Sequence, residues 1–417
     1  MTRLNAGLHF GLTIFIRILA GLLVIKVLAW SLGPEGFGLF GQLMALVAIA
    51  GMLAGGGVSN GLIKVLAKAP VTEPEGKAWF ASAATLSVLI SAGAALLLCA
   101  FSGVLSEYFM PSVGALLFVT LGFSQMIVAV GNLPLAEASS RGDTRTYALI
   151  NIIGTVLGSG LIVLAALAVG FVGAAYAVAI MPAMVGVAAL VYLVTRRREL
   201  FACSYWLFAS ARMKHLMMFS LVTLIGALSV PLAQMFIRDV IGRTLGWEQA
   251  GLWQGVVKLS DVYMQFVGVM LLHFVMPRYS AASDKKRLFN EWLISVSVLV
   301  AVLLIGFIVF YFLRNFIVSL IFSNAFLPMK QLLAPQMAGD VARTVAASIS
   351  YIFMARGAVH VSIVFELLQG LILVCAFNIM FGSEGVMAPV YAHLFTYLSL
   401  TLVMAFGLFF WMKRSAS

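Results

Sequence analysis

Charge is scarce in this chain. Asp, Glu, Lys and Arg make up only 10% of its 417 residues, against 63% hydrophobic, and the mean hydropathy is +1.08. A soluble domain carries about 25% charged residues, so too few are present to coat a water-facing surface. Long hydrophilic stretches are missing as well. The longest runs over about 196–213 and leaves no room for a separate soluble catalytic domain. Cysteine is reduced to Cys99, Cys203 and Cys375, which lie far apart without metal or redox spacing and read as inert thiols. His9, His215, His273, His360 and His393 form no ligand cluster. No GxxxxGK[ST] loop, HExxH, GxSxG or aspartate-rich metal motif occurs. ATP hydrolysis by the chain itself is thereby excluded, an enzyme has little support, and no cofactor or metal is implied.

What the chain does have is apolar length. Charges and Gly/Pro breaks divide it into twelve apolar segments, near 8–32, 36–66, 78–103, 112–138, 144–169, 171–195, 214–240, 249–277, 288–312, 328–355, 358–381 and 385–411. About 20 apolar residues span a bilayer, so the chain reads as an all-α integral membrane protein with about twelve transmembrane helices. The first segment is too long for a signal-peptide core, and no cleavable signal is expected. One alternating set of loops carries eighteen Lys and Arg; the other carries four, Arg238, Arg243, Arg314 and Lys330. That asymmetry puts both termini in the cytoplasm and accounts for most of the +11 net charge. No aromatic–basic interleaving suggests nucleic acid.

The chain also repeats itself. LGPEGFGLFGQ, starting at Leu32, is echoed by LGWEQAGLWQG, starting at Leu245, 213 residues later. SRG at 140–142 is echoed by ARG at 355–357, and more loosely GAAYA at 173–177 by GVMAPVYA at 385–392. Glycine turns between helices can look alike by chance. A shared offset near half the length instead implies two parallel six-helix lobes, 1–205 and 206–417, around a central cavity.

Four basic residues fall inside apolar segments: Arg17, Lys26, Lys258 and Arg343. An ionisable group near the bilayer centre costs about 2.5–3.5 kcal/mol and normally faces protein or a wet cavity. Gln254, Lys258, Asp261 and Gln265 stack on one face of segment 8; Gln336, Asp340, Arg343 and Ser350 do so in segment 10. Ser362, Glu366 and Gln369 follow the same spacing in segment 11. These faces could line one cavity. Equally, Lys258 with Asp261 and Asp340 with Arg343 could be self-neutralised pairs, and the two roles are compatible. Arg17 and Lys26 lie about 180° apart on a straight helix and share a lumen only if it bends, for instance at Gly21. Lys26 could otherwise snorkel to an interface. The glycine-rich GMLAGGGVSNG (51–61) permits close packing or local unwinding beside Asn60.

The run GLWQGVVKLSDVYMQFVGVMLLHFVMPRYS (251–280) resembles the Wzx-type flippases of the multidrug/oligosaccharidyl-lipid/polysaccharide exporter superfamily, the branch that handles O-antigen units and the lipid III of enterobacterial common antigen. GGGVSNGLIKVLA (55–67), the first segment with Arg17 and Lys26, and QMAGDVARTVAASISYIFMARG (336–357) resemble it too. The resemblance spans essentially the whole chain and implies a transporter rather than an enzyme. Its substrate would be an undecaprenyl-diphosphate-linked oligosaccharide flipped across the bacterial inner membrane. Arg17, Lys26 and Arg343 would handle the anionic head; Lys258, Asn60 and Gln254 are further substrate-binding candidates. Asp261, Asp340 and Glu366 fit acidic positions suited to pairing or ion coupling. Membrane lipid, a polymerase and chain-length regulators are the candidate partners. A drug or metabolite antiporter of the same superfamily is the main alternative, although deep basic residues argue against export of cationic drugs.

Overall fold

A computed structural model describes residues 3–202 and 210–413; Cys203 lies outside them. The described residues form twelve long helices: α1 (3–32), α2 (34–66), α3 (Pro74–Ala100), α4 (Leu116–Ser140), α5 (144–169), α6 (171–196), α7 (Ser210–Thr244), α8 (247–281), α9 (Lys285–Ile321), α10 (Lys330–Ala355), α11 (Val359–Glu384) and α12 (Ala388–Lys413). These follow the twelve apolar segments closely. The apolar stretches Gly11–Gly51, Thr144–Arg196 and His360–Lys413 span 41, 53 and 54 residues, each enough for two crossings. The chain is a multi-pass integral membrane protein. In lipid every backbone polar group needs an internal partner, which is why an apolar chain of this length is written almost wholly as helix.

The sequence echo is a backbone echo. Gly33 and Gly246 both take positive φ, 65° and 96°, at the α1–α2 and α7–α8 turns. Gly142 and Gly357 do so before α5 and α11, and Gly170 and Gly385 before α6 and α12. The pairs lie 213, 215 and 215 residues apart. A Cβ strains this left-handed conformation, so the same turn demands glycine in both halves. A π-turn also interrupts α2 at Met52–Gly56 and α8 at Leu271–Val275.

The chain forms two compact units, one of Met1–Leu32 with Phe40–Leu228, the other of Gly33–Leu39 with Ser229–Ser417. In the first unit, Gly131 meets the Gly186 backbone, and Gly154 and Gly158 meet Val185 and Met181, so α4, α5 and α6 pack through small residues. Leu62, Phe80, Leu133 and Leu216 fill its core. Gly55 (φ 135°) packs on Ala129, so the glycine cluster both unwinds α2 locally and admits α4.

In the second unit, the two echoed turns pack on each other. A Cβ at Gly251 would overlap the Pro34 carbonyl, and one at Gly38 would clash with the Trp247 carbonyl and the Gly251 backbone. Phe37, 2% exposed, stands edge-on to Phe322 and Phe326 at 5.9 and 5.5 Å. The repeat thus writes two mutually fitting surfaces. Tyr279, Ile349, Ile352 and Leu400 anchor a separate core among α8, α10 and α12.

Candidate functional site

Lys258 pairs with Asp261 on the next turn of α8 at 3.1 Å, so here the local self-neutralised pair forms. Asp340 does something else. Arg343 makes no ion pair with it within 4 Å, among the described residues. The fully buried Asp340 carboxyl instead takes Ser260 Oγ at 2.6 Å and Tyr263 OH at 2.5 Å on Oδ2, both from α8, and meets His393 Nε2 from α12 at 2.9 Å on Oδ1. The same His393 nitrogen lies 3.1 Å from the Gln336 amide. Gly339 is what admits the imidazole, since a Cβ there would overlap His393 Cδ2.

Arg343 is half-buried, its guanidinium 5.5 Å from the centroid of Tyr397. Tyr397 donates to Gln369 Oε1 at 2.7 Å, and Gln369 donates to Glu366 at 2.9 Å. Asp340, Asp261 and Glu366 all act electrostatically on Arg343. Ser350 and Ser362 join α10 to α11 at 3.1 Å. The polar stripes of α8, α10 and α11 are therefore partly wired together within the second unit, whereas Gln265 is exposed.

A cavity opens among these groups. Gln234, Trp253, Val257, Ser260, Asp261, Gln336, Arg343, Leu373, Pro389 and His393 line it, five helices of one unit contributing. Gln254 is buried beside it and accepts from Arg238 at 2.6 Å. Arg238 corrects the loop assignment: α7 buries it to 2% exposure, its guanidinium 5.6 Å from the Trp253 ring centroid. The sequence shows why it was misplaced, because Arg238 sits in RDVIGR near a helix end and resembles an interfacial cation. His393, Tyr263 and Tyr397 were also missed, since their partners lie on other helices, and so was Gln234, which enters only as part of the cavity lining.

The first unit holds the remaining candidates. Arg17 and Asn60 are exposed, and Lys26 is half-buried. No helix-breaking dihedral falls at Gly21; the break in 3–51 is at Gly33. Between residues 1 and 72 the only carboxylate is Glu35. Glu137, 1% exposed, closes instead on Arg141 and Arg197 at 2.7 Å each. His, Cys, Asp and Glu form no group of three suited to a metal among the described residues.

Over residues 27–331 the sequence matches the family model described as polysaccharide biosynthesis protein. The chain belongs to that family. It is 29% identical over 404 residues to proteins named lipid III flippase from Escherichia coli (strain K12) and from Shigella flexneri, covering 95% of this chain and 96% of each of those. An inward-facing multidrug resistance transporter of the MATE family and MOP superfamily superposes with a TM-score of 0.76 at 16% identity, covering 99% of this chain and 100% of that one. A lipid II flippase in an inward closed conformation gives 0.72 at 12% identity, covering 97% and 87%. At these identities the solved structures establish the shared helical fold alone.

Proposed function

We propose that the chain is a flippase, not an enzyme, that carries an undecaprenyl-diphosphate-linked oligosaccharide across the bacterial inner membrane by alternating access. The cargo class is an O-antigen unit or the lipid III of enterobacterial common antigen. The observation that carries this reading is the nearly end-to-end likeness to proteins named lipid III flippase.

Elementary physics fits the cargo. A sugar-diphosphate head cannot cross hydrocarbon, while its prenyl tail is at home there. The head needs a polar path with positive charge, and the tail can trail in lipid. Guanidinium groups suit a diphosphate through forked, charge-assisted hydrogen bonds. Arg17, Lys26 and Arg343 supply that charge in this reading, with Lys258, Asn60 and Gln254 alongside. Asp261 holds Lys258 in place, and Asp340 and Glu366 hold the surrounding polar network or couple an ion. The rocking bodies are the halves 1–205 and 206–417, with both termini cytoplasmic. A polymerase and chain-length regulators would act on the delivered product.

The test is flipping at normal protein levels. Arg17→Ala and Arg343→Ala are each expected to abolish it, with lipid-linked oligosaccharide accumulating on the inner leaflet. Full transport in both variants would overturn the assignment. The antiporter alternative draws on the acids of the second unit and on the fold of the multidrug transporter. Drug resistance on overexpression, with intact surface glycans in a deletion strain, would favour it.

A further inference from the structure

The core of the first unit buries an amide that nothing answers. Gln125 on α4 is 0% exposed, and neither its carbonyl oxygen nor its amide nitrogen has a hydrogen-bond partner among the described residues. The Ser124 hydroxyl beside it, 4% exposed, is unpartnered as well. Buried polar groups are normally paired, because their lost hydration otherwise goes uncompensated. An orphaned carboxamide therefore calls for a reason.

Its position supplies one. A Cβ on Gly51 would stand 3.2 Å from Gln125 Oε1, so the amide lies directly against the α2 backbone. Gly51 immediately precedes the π-turn Met52–Gly56, in which Gly55 takes φ 135°. One helical turn further along α4, Ala129 meets Gly55 itself. A π-turn interrupts the i→i−4 ladder, and interrupted ladders are where helices bend. Beyond the turn α2 is anchored, since Val58, Leu62 and Leu66 pack in one core with Phe80 and Leu133.

We infer that the π-turn of α2 is a hinge and that Gln125 is its positioning residue, supplying the hydrogen bonds that the α2 backbone gives up as it bends. The inference goes beyond the flippase reading, because it concerns how the first unit moves and holds for any cargo. Changing the bend at 52–56 takes at least one backbone N–H and one C=O out of the ladder. In a buried, membrane-embedded core no bulk water reaches them, so another group must pair them. A carboxamide carries the same donor and acceptor as a peptide group, and one glutamine can satisfy both at once. An ionised carboxylate only accepts and could not. Gly51, with no side chain, leaves nothing between the amide and that backbone. The unanswered amide raises the free energy of this conformation, and pairing it lowers that of the other, which keeps the two close enough to exchange.

The test follows α2 in the purified full chain, its three cysteines replaced by serine, with spin labels carried on Ala48→Cys and Lys77→Cys. Both positions are exposed; Ala48 precedes the turn, and Lys77 lies beyond it at the start of α3. The otherwise unaltered chain should show two distances, one for each bend. Gln125→Met keeps the length of the side chain and removes the amide. It should deplete one of the two distances about tenfold, as expected when a buried backbone pair is left unanswered. Its melting temperature should hold or rise, because this conformation loses only an unpaired group. A merely structural glutamine would do the reverse, lowering the melting temperature and keeping both distances. Gly55→Ala should shift the populations the other way, since a side chain at φ 135° disfavours this turn. Transport by Gln125→Met should fall along with the depleted distance. One unmoved distance in the unaltered chain and both variants overturns the inference, as does a destabilised Gln125→Met that keeps both. Failure of both Gln125→Met and Gln125→Leu to fold overturns it too, since the amide would then already have work in this conformation. Two distances that respond as expected, in a chain that moves no oligosaccharide lipid, would fell the flippase reading and leave the hinge standing.

Discussion

The first unit leaves Arg17 and Lys26 in segments almost empty of carboxylates, while the second places three acids and three cations in its own segments and pairs Lys258 directly with Asp261. The contrast separates two ways of keeping charge in a membrane. An exposed guanidinium with no acid on its own segment stays available to an incoming anion. A compensated network fixes geometry rather than attracting charge. Arg17 and Asp340 are the extremes: one exposed, the other fully buried with donors from two helices.

Truncating those two residues should therefore have opposite signatures. Asp340→Ala leaves Ser260 Oγ, Tyr263 OH and His393 without their acceptor. Removing one partner from a buried charged network costs about 3–5 kcal/mol. Arg17→Ala should change stability by no more than about 0.5 kcal/mol, as exposed substitutions do. Both should lose transport. Unfolding of the detergent-solubilised variants decides the matter, and similar stability losses in the two would erase the distinction.

Glycines sharpen the same comparison at intermediate size. Gly251→Ala drives a methyl into the Pro34 carbonyl, where backbone meets backbone and neither can turn aside. Overpacking of this kind costs about 1–3 kcal/mol, sometimes more. Gly160 in α5 has nothing within 4 Å of an added Cβ. Gly160→Ala should stabilise its helix by roughly 0.5–1 kcal/mol. Thermal unfolding reads both. A tolerated alanine at 251 would mean that the two echoed turns do not rely on close approach. Gly339→Ala probes the site more finely, because it pushes on His393 and should loosen that ring from Asp340 without removing either group.

Much of this was legible in the sequence because it is local. Twelve apolar runs became twelve helices, and the echoed turns became echoed positive-φ glycines, since both properties are set by neighbours in the chain. Lys258 with Asp261 was equally readable as an i,i+3 pair. Asp340 was not. Its partners Ser260, Tyr263 and His393 stand 80, 77 and 53 residues away. The same spacing rule offered Arg343 in their place, and only tertiary packing rejects it. Arg238 misled for the opposite reason, because a cation near a helix end is usually interfacial and its cover comes from Trp253 and Gln254 on α8.

The smallest expected effect lies outside the membrane, where both units begin a helix with aspartate. Asp143 accepts from the Thr146 amide at 3.1 Å, and Asp284 accepts from the Arg287 amide at 2.7 Å. That backbone N–H is the main reason the Asp284 carboxyl titrates below its ordinary value, with Ser283 and the Lys286 amide assisting. A carboxylate with a lowered value stabilises the folded chain fully above the unfolded value, about 3.9. The contribution fades as pH falls through the lowered folded value. Melting temperatures of wild type and Asp284→Ala should therefore differ at neutral pH and converge in acid. A gap that persisted at the lowest pH would show that the side chain acts there by packing, with its charge irrelevant to the cap.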